Sequence, residues 1–355
     1  MAIPKFAPPA GNFHLELKKR VQEYFAISGK STTGGSNLVF KGTLLFFLFT
    51  ALYIHLVWFT PSIIFSLIEC AILGTVIASI GFNVMHDGSH GSFSKRKWVN
   101  YLAAFSLNIL GGNSFMWNMK HNIIHHAYTN IDGVDDDIDV QPWLRMSSQQ
   151  RKLWLHKYQH FYFWFLYSMF YFFWIFVLDY QKYFRQKIGG MPLKKMKAHD
   201  HFIFWTFKFV HYFLFIVLPI IMVGWLSWLI GILVLALVAG FVLSIVFQLA
   251  HTVEHTEFPS AIGETNKMPD EWAIHQIKTT ANFATRSKLI SWLIGGLNFQ
   301  IEHHLFPKIS HIHYPQISKI VRQLCEEHGL VYIEYRYALQ AVVSHVSYLK
   351  RMGKG

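Results

Sequence analysis

Four apolar runs, each about as long as a bilayer is thick, constrain this chain more than any other feature. They cover about Gly42 to Phe59, residues 62–84, about Phe202 to Val223 and about Trp225 to Ala250. A helix needs roughly 20 apolar residues to cross the hydrocarbon core. Inside lipid the backbone must satisfy its own hydrogen bonds, so such runs become helices. The links between the runs are short and uncharged: Thr60-Pro61 in one case, Gly224 to Trp228 in the other. Each pair therefore predicts a hairpin of two spanning helices. The expectation is an all-α integral membrane protein with four transmembrane helices in two hairpins. Residues 1–41 form a cytosolic N-terminal segment, and residues 42–355 form one membrane domain.

Composition agrees. Only 15% of the 355 residues are charged, against about 25% in an ordinary soluble domain. That excludes a disordered chain and argues against a soluble enzyme. Lys and Arg exceed Asp and Glu by 32 to 20. In so apolar a chain this surplus fits anionic headgroups and the positive-inside rule, and not nucleic acid. The basic residues Lys18, Lys19, Arg20, Lys30 and Lys41 precede the first run, Lys95 to Lys97 follow the second, and Lys182 to Lys197 precede the third. The rule puts all of them, and both termini, in the cytoplasm. A further aromatic stretch, Phe161 to Leu178, is long enough to span. Spanning would move Lys182 to Lys197 outside, so it reads as in-plane or packed against the bundle. The two cysteines, Cys70 and Cys325, make no disulfide framework.

Histidine is the anomaly: 21 His face 20 acidic residues. The informative ones fall in four groups: His86 and His90; His121, His125 and His126; His251 and His255; His303 and His304. On an α-helix, positions i and i+4 share a face. His86 with His90, and His121 with His125, can each clamp one ion. Adjacent histidines point about 100° apart and reach two different ions. That pattern favours a dinuclear site. Imidazole suits iron, zinc, copper or nickel, and no thiolate is near. A closed structural zinc site needs only four ligands, so a redox di-iron centre fits the larger number better. Neutral ligands leave the metal charge uncompensated, so carboxylates behind them should matter. Asp87, Glu254, Glu302 and the run Asp135, Asp136, Asp137 with Asp139 are the candidates. The acidic run reads equally well as a solvated loop. Lone histidines such as His55 and His211 read as packed residues. A zinc transporter would need an ionisable path through the spans, and only His55, Glu69, Lys208 and His211 lie inside them.

The sequence resembles the membrane fatty acid desaturase family. Its three histidine boxes stand as HDGSH at 86–90, HNIIHH at 121–126 and QIEHH at 300–304. The flanking KHNIIHHAYTN, DDDID, GGLNFQIEHHLFP and SHIHYP resemble the bacterial acyl-CoA or linoleoyl-CoA desaturase-like branch. The resemblance implies metal ligands at His86, His90, His121, His125, His126, His303 and His304, with His251 as the histidine at the end of the fourth span. His255 is a candidate ninth ligand or an outer partner. Gln300 stands where most of the family has histidine, as in front-end desaturases. A helical cap carrying the metal site on the cytosolic face follows from the family. So does the activity: an O2-dependent cis desaturation of a fatty acyl chain, as acyl-CoA or acyl-lipid, using two iron ions. Zinc can replace the iron in overproduced protein. No haem-binding HPGG stands in the first 40 residues, so electrons come from a separate donor, cytochrome b5 or ferredoxin with its reductase. Trp117 is the candidate for the substrate wall, membrane lipids are the surroundings, and a bacterial inner membrane is the expected location. The nearest rival is a membrane di-iron hydroxylase, which would leave oxygen in its product.

Overall fold

The apolar runs become helices, and several of these helices continue beyond their apolar stretch to carry polar residues at one end. The computed structural model describes residues 4–8, 12–262 and 266–354. Of the N-terminal segment 1–41, residues 1–3 and 9–11 lie outside the described residues. In chain order the helices are α1 (Phe13–Ser28), α2 (Gly35–Phe59), α3 (Ile63–His90), α4 (Lys97–Ile109), α5 (residues 114–128), α6 (Trp154–Arg185), α7 (Ala198–Val223), α8 (Trp225–His251), α9 (Trp272–Thr279), α10 (Lys288–Leu293), α11 (Gln300–Leu305), α12 (Tyr314–Glu327) and α13 (Ala338–Lys354). Two pairs of two-residue strands complete the regular structure among the described residues: Lys187–Ile188 with Met191–Pro192, and Asn282–Phe283 with Glu334–Tyr335.

Five of these helices, α2, α3, α6, α7 and α8, are long and apolar enough to cross a membrane. This is a membrane protein built mainly of helix. The sequence assigned four crossings, and length and composition admit a fifth. That fifth helix, α6, covers 32 residues, well beyond the aromatic stretch at 161–178. It packs along α8, where Ser168 lies beside Gly240. The first helix of the five starts at Gly35, so the expected boundary at 41/42 falls inside it. The α7–α8 link is tighter than expected. Gly224 alone turns the chain, at φ +82°, a left-handed value that glycine adopts without strain.

Small residues set how closely the helices approach. A Cβ on Gly74 would lie 2.5 Å from the Leu235 carbonyl oxygen, so α3 and α8 meet backbone to backbone there. The main core lies between these helices and contains Leu73, Ile77, Ile80, Ala239, Leu243 and Leu249. A second core binds α1 to α12 through Phe13, Leu17, Val21, Ile317, Val321 and Leu324, and it includes Ile301 and Leu305 of α11. This second core holds the histidine-bearing α11, whose His303 faces His86 of α3.

Two wide helical turns lie next to the histidine boxes. Residues Gly81–Met85 of α3 and Asn118–His125 of α5 are π-helical. Such turns hydrogen-bond from i to i+5 and change which residues share a face.

Candidate metal centre

Eight histidines from α3, α5, α8 and α11 converge. The facing nitrogens of His86, His90, His121 and His303 lie within 4.8 Å of one another, as do those of His125, His251 and His304. His126 sits between the two sets, with ring centroids 4.5 Å from both His303 and His304. All eight except half-buried His90 are buried. These are the eight positions singled out in the sequence.

The nitrogen spacing is informative. His86 Nε2 lies 3.1 Å from His121 Nε2 and 3.2 Å from His303 Nε2, and His126 Nε2 lies 3.2 Å from His121 Nε2. Two nitrogens each ~2.1 Å from one cation are ~3.0–3.4 Å apart. Burial holds His121, His126, His303 and His304 well below the usual imidazole range, so they are neutral and present lone pairs. Ring nitrogens at this distance either share a proton or ligate a common cation. His90 Nε2 and His125 Nε2 are buried without a hydrogen-bond partner among the described residues, and buried polar atoms are almost always partnered. The donor set fits metal binding.

Four of the rings, His125, His251, His303 and His304, are anchored at their outer nitrogens, which orients them, whereas the Nδ1 atoms of His86, His121 and His126 have no hydrogen-bond partner among the described residues. His125 Nδ1 donates to Asp135 at 3.1 Å and lies 3.2 Å from Asp137. Burial opposes the charged form of His125, but Asp135 and Asp137 reverse this and raise its pKa. His304 Nδ1 donates to Gln276 Oε1 at 2.8 Å, His303 Nδ1 lies 3.2 Å from the Tyr314 hydroxyl, and His251 Nδ1 lies 3.3 Å from the Thr279 carbonyl oxygen. Gln300 places its amide nitrogen 3.2 Å from His251 Nε2 and 3.3 Å from His304 Nε2. It stands among the histidines, where the family's usual imidazole would stand.

The pairing within α5 differs from the α-helical expectation. His121 and His125 fall mainly into different sets, and within its own segment His121 makes its shortest nitrogen contact with His126, five residues on. The π turn explains this, because i and i+5 share its face. His121, His125 and Asp137 also form a third group within 4.8 Å.

The carboxylate candidates divide. Asp135 and Asp137 stand behind His125. Asp136 pairs instead with Lys182 at 2.7 Å and Lys120 at 3.6 Å. Asp87 accepts from Ser310 and His311, each at 3.0 Å, and lies 3.7 Å from His86 Nδ1. Glu302 turns to Asn282 and Tyr332, and burial pushes its carboxyl up to about 7. Two candidates lie away from the centre. His255 is exposed, at φ +79° just past the end of α8, where the chain has already turned out of the helix. Glu254 pairs with Arg351 at 3.6 Å. Sequence reasoning missed Tyr314, Gln276, Thr279 and the use of His311. The run SHIHYP points towards His311 and Tyr314, whereas nothing local marks Gln276 or Thr279.

Trp117 stacks on His121, with centroids 4.7 Å apart and planes at 22°. It also lines an apolar cavity that reaches His86, along with Trp174, Tyr171, Leu243 and Phe247. The cavity has only about 20 Å³ of free volume.

A sequence model described as Fatty acid desaturase matches residues 64–336. The chain belongs to the fatty acid desaturase family. It is 36% identical over 353 residues to an sn-1 linoleoyl-lipid 6-desaturase of Arthrospira platensis, covering 96% of this chain and 92% of that protein. A protein of the same name from Synechocystis sp. is 36% identical over 363 residues, covering 99% and 98%. An acyl-lipid (8-3)-desaturase of Physcomitrium patens is 34% identical over 349 residues, covering 96% of this chain and 72% of that protein. The chain is thus a fatty acid desaturase, and the converging histidines lie inside the matched region.

Proposed function

We propose that this desaturase inserts a cis double bond into the acyl chain of a membrane lipid, between an existing double bond and the carboxyl end. The acyl-lipid carrier and this position rest on the names of its relatives and on Gln300 in the third box. The observation that carries the chemistry is the convergence of two sets of buried histidine nitrogens, with His90 Nε2 and His125 Nε2 left without a hydrogen-bond partner among the described residues. His86, His90, His121 and His303 would hold one iron, His125, His251 and His304 the other, and His126 lies where it can serve either. Bound there, two iron ions with O2 and two external electrons supply the oxidising power that removes hydrogens from two neighbouring methylenes.

The chain's own residues provide position. Asp135, Gln276, Tyr314 and the Thr279 carbonyl hold four of the rings, His125, His304, His303 and His251, at their outer nitrogens. The Gln300 amide occupies a ligand-sized place without adding an imidazole. Methylenes are chemically alike, so the bond that reacts is selected by where the chain is held. The Trp117 cavity touches the histidine His86, and at about 20 Å³ it is close to the size of one methylene. Trp117, Trp174 and Phe247 must part for an acyl chain to enter.

The reading also places the chain in the membrane. Four helices cross, and α6 lies along the bundle on the histidine side. Both its ends are tied to one short segment: Gln159 to Arg145 and His156 to the Pro142 carbonyl at the start, Lys182 to Asp136 at the end. The basic residues beside the histidine ends put that side in the cytoplasm of a bacterial inner membrane. Electrons arrive from a separate donor, cytochrome b5 or ferredoxin with its reductase.

The test is expression in a host fed candidate fatty acids, followed by gas chromatography of its lipids. Active chain yields a new alkene, and His121→Ala or His303→Ala yields none while leaving helix content intact. Product carrying oxygen in place of a double bond, or full activity in both variants, would overturn the reading. Zinc outcompetes ferrous iron for such ligands, so purified protein should be assayed after iron reconstitution.

A further inference from the structure

The buried lysines differ in what their ammonium groups meet. Lys208 has Asp179 at 2.8 Å, and Lys182 has Asp136 at 2.7 Å. Lys41 is buried to the same degree as Lys182, at 8% exposure. Among the described residues its ammonium meets no carboxylate or carbonyl at bonding distance. Its contact is the face of Trp292, 4.7 Å to the ring centroid. The nearest acid in the centre, Asp87, is already engaged by Ser310 and His311. The Lys41 stem is buried while its ammonium has no counter-anion at bonding distance among the described residues, and a ring face compensates for one only in part.

The lysine opens into a cleft of about 300 Å³ between α2, α10 and the start of α12. Its walls are mostly apolar, with Leu38, Leu44 and Phe299, they include His311, and exposed Asn37 stands at its lip. The outer surface of α2 beside it is apolar and exposed: Val39 is 42%, Phe40 72% and Phe47 66% accessible. A free anion would gain nothing from such walls. A ligand with a negative head and apolar tails would use both.

We propose that a membrane phospholipid seats its phosphate on Lys41, with its acyl chains running outward along α2. This inference uses none of the eight converging histidines and stands apart from their assignment. The phosphate would accept from the Lys41 ammonium, with the Asn37 amide at the lip of the same cleft.

The test uses the full chain in nanodiscs of digalactosyldiacylglycerol, which has no phosphate, with a minor fraction of phosphatidylglycerol. Native mass spectrometry after release counts the phosphatidylglycerol retained per chain. Lys41→Met, which keeps the apolar stem, should weaken retention roughly tenfold or more, the loss of a charge-assisted bond. Lys41→Arg should retain the lipid. Asn37→Asp places a carboxylate at the exposed lip, outside the core, and should also expel the lipid. Unchanged retention in Lys41→Met, shown to be folded by its thermal midpoint, would overturn the proposal, as would unchanged retention in Asn37→Asp. Displacement of all phosphatidylglycerol by inorganic phosphate alone would show an anion site with no lipid component, and would overturn it too.

Discussion

Asp135→Asn is the sharpest probe of the histidine centre, because one buried carboxylate does two separable jobs. Its two oxygens accept from His125 Nδ1 at 3.1 Å, from the Asn130 backbone N–H at 2.9 Å and from the Asp137 backbone N–H at 3.1 Å. An asparagine has the same shape but offers one acceptor oxygen. Whichever way it turns, its amide NH2 faces a donor N–H at about 3 Å. The bond from His125 loses its charge assistance, a difference of about 1–2 kcal/mol. Either orientation leaves the oxygen within 3.1 Å of His125 Nδ1 but removes the acceptor of one loop N–H. The loop adds about 1–3 kcal/mol for a buried donor left without a partner. Metal affinity should therefore fall roughly 10–100-fold, or about 1.4–2.7 kcal/mol, the range found when such outer partners of metal ligands are removed. The assay strips the protein with a chelator and then titrates ferrous iron and zinc against a fluorescent competitor. Asp139→Asn is the control, since Asp139 is in none of the histidine groups, and its affinity should not change. Affinity in Asp135→Asn within twofold of the parent protein would refute the assignment of His125 as a ligand held by Asp135.

Three further outcomes are expected. His345 is buried between Thr252 and Tyr167, and burial lowers its pKa to about 4. The folded state thus resists protonation that the unfolded chain accepts at pH 6.5, so this histidine's contribution is full above pH 6.5 and is lost as pH falls towards 4. Relative to His345→Gln, the parent should lose about 2 kcal/mol between pH 7.5 and pH 5, and equal losses in chemical unfolding at both pH values would count against it. Lys208 is bound to Asp179 and to the carbonyls of Gly111 and Ile175; Lys208→Met should cost about 3–5 kcal/mol, and Lys208→Met with Asp179→Leu distinctly less, as a double-mutant cycle would show. Gly240→Val should lower the thermal midpoint sharply and separate α6 from α8, because even a Cβ there would lie 2.2 Å from the Ser168 carbonyl oxygen; a midpoint within a degree or two of the parent would mean that the two helices do not pack so closely.

What the sequence makes legible, and what it hides, is decided by range. The apolar runs and the histidine groups are local patterns, and both the hairpins and the eight converging histidines follow from them. The sorting of the histidines is not local. His121 turns towards His86 and His303, and His86 itself stands 35 residues from His121 and 217 from His303; the match of His121 with His126 depends on a π turn. Nothing in Asn118 to His125 announces that turn, because the same residue types fit an α-helical or a π-helical path, and the one-residue shift in hydrogen bonding leaves no local signature. His311 stands in a proline-containing stretch with no ligand spacing of its own, and its partner Asp87 lies 224 residues earlier. His255 matches the spacing of a ligand but falls past the end of α8, where the chain leaves the helix that would have aimed it inward. The fifth apolar helix shows the same limit from another side. Hydropathy alone admits α6 as a crossing, whereas its ends are defined by Arg145, Pro142 and Asp136, three residues outside it that lie close together in the chain. Local periodicity finds the groups that can bind, and contacts between distant segments decide which of them face one another. Substitutions at those distant anchors, Asp135 and Tyr314 among them, should accordingly alter the centre while leaving every histidine box intact.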